Sequence, residues 1–214
     1  MDELEYLDEF DLDMSEVKEH YATRKSVAKK AQSLLRAGKD GAYVNLALGI
    51  SDPIGNYSAS EHQLGPQVLA NNPVAAIIKL ARRFASGDLN VSHLPRVIYE
   101  ANLSHLKISI GSEMASLLRP SSYWVGNVRT IYCHLIIKHR GDLDRANEEL
   151  ELYRIEDASS EMAYKIWRDI YLSMEHSFGV IERIAAARAG EQGVKVGKQR
   201  FLWLDAVCNS VYEA

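Results

Sequence analysis

Residues 161–189 read EMAYKIWRDIYLSMEHSFGVIERIAAARA, and this stretch decides the fold class. Met162, Ile166, Trp167, Ile170, Tyr171, Met174, Ile181, Ile184 and Ala185 fall on one stripe of a 3.6-residue period, and no proline breaks the run. Ser159-Ser160 stands immediately before it as a cap. The pattern predicts one long helix from Glu161 to about Ala189 with Trp167 and Ile170 in the core.

Working outward, the same period continues on both sides. Downstream, Phe201, Leu204, Val207, Cys208 and Val211 predict a helix from Lys198 to about Tyr212. Upstream, Gly141 closes a helix that runs from Ser121-Ser122 to about His139, and Asp142 or Asp144 opens a shorter one through Arg154. Val97, Ile98, Leu103, Leu106, Ile110, Met114, Leu117 and Leu118 form a stripe over 94–118, interrupted at Gly111 and ended by Pro120. Asn72-Pro73 reads as a cap followed by proline at the first helical position of a helix over 74–86. Tyr43 to Ile50 fits helix or strand, and helix is preferred. The density of Gly, Pro, Asn and Ser from Ser51 to Asn72 predicts a long surface loop. Ser15 caps a further helix whose inner face is Val17, Tyr21, Val27, Ala28, Ala31, Leu34 and Leu35, with Lys18, Arg24, Lys25, Lys29, Lys30 and Arg36 outside. The reading is therefore all-α: an irregular bundle of about seven to nine helices, with an acidic arm over 1–15 and one helical domain over 16–214.

Composition narrows the function classes. With 47% apolar residues and five prolines, the 214-residue chain can bury a full core without disulfides or a structural metal. Cys133 and Cys208 lie far apart in sequence without CxxC spacing, which points to a reducing compartment. No apolar run nears the roughly 20 residues that span a bilayer, and the opening residues are acidic where a secretion signal would be basic and then apolar. The expected location is cytoplasmic, with no membrane partner. No GxxxxGK[ST] or GxGxxG string occurs and no His/Cys/carboxylate group has metal-ligand spacing, so no cofactor and no metal are expected.

Charge is unevenly distributed. Eight acids fall in the first sixteen residues, which leaves 21 acids against 25 bases in the remainder, an excess of +4. Lys25, Lys29, Lys30 and Arg36 on one helix and Lys79, Arg82 and Arg83 on another are the candidate contacts to a nucleic-acid backbone, since phosphate binding needs cations rather than a particular fold. The arm sets Leu4, Leu7, Phe10 and Met14 at helical spacing, an apolar stripe suited to a groove on its own domain or on a protein partner.

One short string carries chemistry. Arg129-Thr130-Ile131-Tyr132-Cys133-His134 resembles the Arg-x4-His pattern of HEPN-type helical ribonucleases. The resemblance implies a metal-independent ribonuclease in which Arg129 holds a phosphate and His134 serves as acid or base toward the RNA 2′-hydroxyl, with Asn127 on the same helix face to orient the ring. Against it, Trp124, Val125, Val128, Tyr132, Leu135 and Ile136 take the inner arc of that helix. That puts His134 outside and Arg129 well away from it. The expected function is a non-enzymatic binding or assembly subunit on a nucleic-acid backbone. The ribonuclease and a protein-protein adaptor using the arm are the alternatives.

Overall fold

The structure is a computed structural model that describes residues 5–154 and 161–214, and among these it is all-helical, with no strand. Eleven α-helices follow in order: α1 (Met14–Arg36), α2 (Asp40–Ala47), α3 (Tyr57–Glu61), α4 (Leu64–Asn71), α5 (Val74–Ala85), α6 (Leu94–Glu100), α7 (Ile108–Leu118), α8 (Val128–Lys138), α9 (Leu143–Leu150), α10 (Glu161–Glu191) and α11 (Arg200–Glu213). The chain gathers into two compact units, one of residues 1–21 with 128–214 and the other of residues 22–127. Leu4, Asp2 and Glu3 of the arm and the Ser159-Ser160 cap lie outside the described residues.

In the first unit α8 is the centre, packed against α9, α10 and α11. Every residue from Arg129 to Ile137 is buried, so α8 has no outer face. A helix buried on all sides is a core helix, and Arg129, Thr130 and His134 are buried with its apolar residues. Cys133 of α8 and Cys208 of α11 are free thiols that meet inside this core. The hydrogen bond to Cys133, then burial, pushes the Cys208 thiol well above its ordinary pKa. The α10 stripe is buried from Ile170 onward, through Tyr171, Met174, Ile181, Ile184 and Ala185. Its first turns are not: Met162 is 65% and Ile166 37% exposed, and Trp167 is half-buried, edge-on to Tyr153 at 6.2 Å. The sequence reading of Trp167 as core is corrected, because the described residues leave that first segment of α10 partly exposed. Trp167→Ala is accordingly expected to cost about 1 to 2 kcal/mol, below the roughly 3 to 5 of a fully buried Trp. A urea midpoint checks this.

Residues 6–10 form a turn and a bend, and 11–13 are irregular, so no α-helix precedes α1 among the described residues. Leu7, Leu12 and Met14 are buried, Asp8 pairs with Arg188, and Gln192 accepts from Met14 N and donates to Leu12 O, both at 2.8 Å. The described part of the arm thus packs on α10 in cis. Asp13, not Ser15, caps α1, accepting from Ser15 N at 2.7 Å.

In the second unit α7 is the hub, in contact with α2, α3, α5 and α6 and buried throughout Ile110–Leu118. Residues 40–47 are helix, which answers the helix-or-strand ambiguity over 43–50. The long loop expected over 51–72 contains a 3-10 turn (Pro53–Gly55), α3 and α4. The glycines that read as loop are instead points of close approach. A Cβ on Gly55 would lie 1.9 Å from the Leu46 carbonyl oxygen, and one on Gly65 2.2 Å from that of Leu48. Asn72 does not cap α5; its amide donates to Val68 O and Ser104 O and its oxygen accepts from Ser104 N. The stripe over 94–118 breaks at 101–107, where Asn102 and His105 take positive φ, while Gly111 lies inside α7 against Ile98. The expected helix from Ser121 begins only at Val128.

Candidate functional site

The seven cations named from the sequence all belong to the unit of residues 22–127. α5 is amphipathic for a plain reason: Ile77, Ile78, Leu80, Ala81 and Phe84 are buried, which turns Lys79, Arg82 and Arg83 outward together. On α1, Lys29, Lys30 and Arg36 are exposed and Lys25 is half-buried. Lys25, Lys29 and Arg36 follow at spacings of four and seven and so share one side of the helix, whereas Lys30 lies off it. Arg82 pairs with Asp40 at 3.8 Å, both exposed, a contact of little strength in water. Residues 22–127 hold 12 Lys and Arg against 6 Asp and Glu, a formal +6, whereas residues 1–21 with 128–214 hold 13 against 23, a formal −10. This partition is sharper than the arm-and-body separation seen in the sequence.

One basic residue was misassigned to the outer face. Arg24 is fully buried, with a guanidinium nitrogen donating to Ile54 O at 2.5 Å, another 3.7 Å from Glu113, and its plane 5.1 Å from the Tyr57 ring. Glu113, also fully buried, accepts from Tyr57 N at 2.8 Å, Ser58 N at 3.0 Å, the Ser58 hydroxyl at 2.7 Å and the Asn127 amide at 3.2 Å. It therefore both balances Arg24 and caps α3. The signal was present: Arg24 precedes Ala28, Ala31 and Leu35 at four, seven and eleven residues, the middle of the apolar arc.

The Arg-x4-His residues are held apart. Arg129 is buried on the α11 side, its guanidinium 5.7 Å from the Tyr212 ring and 4.0 Å from Glu213. His134 is buried on the α10 side, Nδ1 at 2.8 Å from the Ser177 hydroxyl and Nε2 at 3.2 Å from that of Ser173. Burial first, then the nearby Lys138, His139 and His176, depresses its pKa from 6.5 to about 4, with Glu149 opposing. The imidazole is neutral at pH 7. Asn127 precedes α8 and donates to Glu113, so the serines of α10, which the sequence reading did not consider, orient the ring. His134 lines a cleft of about 950 Å³ together with Tyr6, Arg140, Ser173 and His176.

Among the described residues no three His, Cys, Asp or Glu side chains gather as a metal-ligand group, and no helix is long and apolar enough to cross a membrane. Comparison with protein-family models, with curated proteins and with solved structures finds no match.

Proposed function

We propose that this protein is a helical binding subunit that holds a nucleic-acid backbone on residues 22–127, through Lys25, Lys29, Lys30 and Arg36 of α1 and Lys79, Arg82 and Arg83 of α5. The formal +6 on that one unit carries the reading. Three like charges at i, i+3 and i+4 on α5 repel one another by a few tenths of a kcal/mol per pair, a cost that an incoming polyanion removes. Contacts of this kind release counterions and are independent of sequence, so affinity falls steeply with salt.

The expected result is measurable by fluorescence anisotropy on labelled duplex and single-stranded oligonucleotides over a salt series. Lys79→Glu with Arg82→Glu and Arg83→Glu lowers affinity at least about tenfold and makes the log-log salt slope shallower by about 2 to 3. Equal affinity and slope in the triple variant would remove α5 from the interface. The ribonuclease reading has less support, since Arg129 and His134 turn to different helices and share no phosphate position. The adaptor reading must contend with Leu7, Asp8 and Leu12 already engaged within their own unit.

A further inference from the structure

We infer that the cleft lined by His134 binds a small amphiphilic anion, a phosphate or carboxylate head on an apolar body, with Arg140 as the anchor of the head. α8 ends in a Schellman turn, with Arg140 N donating to Ile137 O at 3.1 Å and Gly141 N to Ile136 O at 2.9 Å. Arg140 occupies the turn position that favours glycine, at φ +57°. A long β-carbon side chain there is strained, and strain of this sort persists where the side chain is used. Arg140 is exposed, lines the cleft and forms no ion pair among the described residues. Lys138, its neighbour on the wall, is different: both oxygens of Glu149 lie within 2.7 Å of its Nζ. Among the described residues the cleft thus presents one guanidinium without an ion pair, in a lining that also holds the His176 imidazole and the Ser173 hydroxyl.

Ile137, Leu172 and Val180 supply the aliphatic part of the lining. A cleft of about 950 Å³ is at the upper end of small-molecule sites, and the mixture of a guanidinium fork with an aliphatic wall fits a head and a body rather than a bare ion. Glu175 faces the same space, and the unit around it is formally −10. That field opposes every anion and a polyanion most of all, so a single head has to be held by the local Arg140 contact; the ligand is distinct from the nucleic acid proposed for residues 22–127, and the inference does not depend on that reading.

The test uses the full chain with histidine-labelled imidazoles followed by NMR at pH 7, titrated with phenyl phosphate, inorganic phosphate and benzyl alcohol up to about 10 mM, the weak-binding range. Phenyl phosphate is expected to shift His134 and His176 saturably, inorganic phosphate more weakly and benzyl alcohol not at all. Arg140→Gly should raise the melting temperature, because glycine relieves the left-handed backbone, and should weaken phenyl phosphate at least about tenfold by removing the charge-assisted contact. A variant that is destabilised, or one that binds phenyl phosphate as wild type does, overturns the assignment of Arg140. The absence of saturable shifts in the wild-type protein overturns the site, and equal affinity for both phosphates overturns the apolar wall. The Lys79, Arg82 and Arg83 reversal should leave this titration unchanged, and its loss there would assign the anion to the other unit.

Discussion

Glu113→Ala is expected to destabilise the unit of residues 22–127 by about 3 to 5 kcal/mol, the cost of leaving a buried charge without its partner. Arg24 and Glu113 are both fully buried, so neither recovers water when the other is removed. The alanine also strips the acceptor from Tyr57 N and Ser58 N, and α3 loses its cap at the same stroke. Trp124, the one tryptophan between 22 and 127, reports that unit by fluorescence in urea, and hydrogen exchange at α3 resolves the local part. Arg24→Met combined with Glu113→Leu should recover part of the loss, since a well-packed apolar pair can replace a buried ion pair. It should not recover all, because the two α3 amides stay unsatisfied. A cost below about 1 kcal/mol for Glu113→Ala would mean that water reaches the pair.

The second large effect is on acid stability. His134 has a folded pKa of about 4 against 6.5 in the unfolded chain, with burial as the main cause. Above pH 6.5 the ring is neutral in both states and contributes no slope. As pH falls from 6.5 toward 4 the unfolded chain takes up a proton that the folded chain refuses, so stability is lost through that window. At about 1.4 kcal/mol per pKa unit the full loss is about 3 kcal/mol. The difference in urea midpoint between wild type and His134→Gln, followed from pH 7.5 to 4, isolates this residue from the other histidines and from the Glu149 pair with Lys138 and His139. Wild type should lose its advantage across that window. Parallel profiles would show that His134 titrates as a solvated ring.

Much of the fold was legible because it is local. The 3.6-residue stripe over 161–189 predicted the helix that α10 forms, and of the two candidates Asp142 and Asp144 it is Asp142 that caps α9, accepting from Arg145 N at 3.1 Å, in a helix that ends at Leu150 rather than Arg154. The misreadings have a common origin. Between 51 and 72 the residues that mark turns also permit close packing, and α3 exists because Asn56 caps it from within while Glu113, more than fifty residues away, accepts its first amides. The α10 stripe carried Met162 and Ile166 along with Ile170, since periodicity reports an apolar face but not what covers it. For His134, the helical wheel assumed that α8 had a solvent side, and contacts with three other helices removed it.

The candidate site divides in the same way. The outward cluster of Lys79, Arg82 and Arg83 was readable, because the apolar residues between them fix which arc is buried. The concentration of +6 on residues 22–127 was not, since it depends on where the chain divides into units. The Ser173–His134–Ser177 contacts and the cleft they line join α8 to a helix about forty residues further on.

By itself the sequence determined that this protein is helical, where most of its helices lie and that Lys79, Arg82 and Arg83 face outward, because all three follow from the spacing of apolar side chains along one chain segment. Only the tertiary structure decided which polar groups go inside. Arg24 and Glu113 are buried because each finds its charge and hydrogen-bond partners on a distant segment, and the cost of dehydrating a polar group can be met only where such partners converge in space.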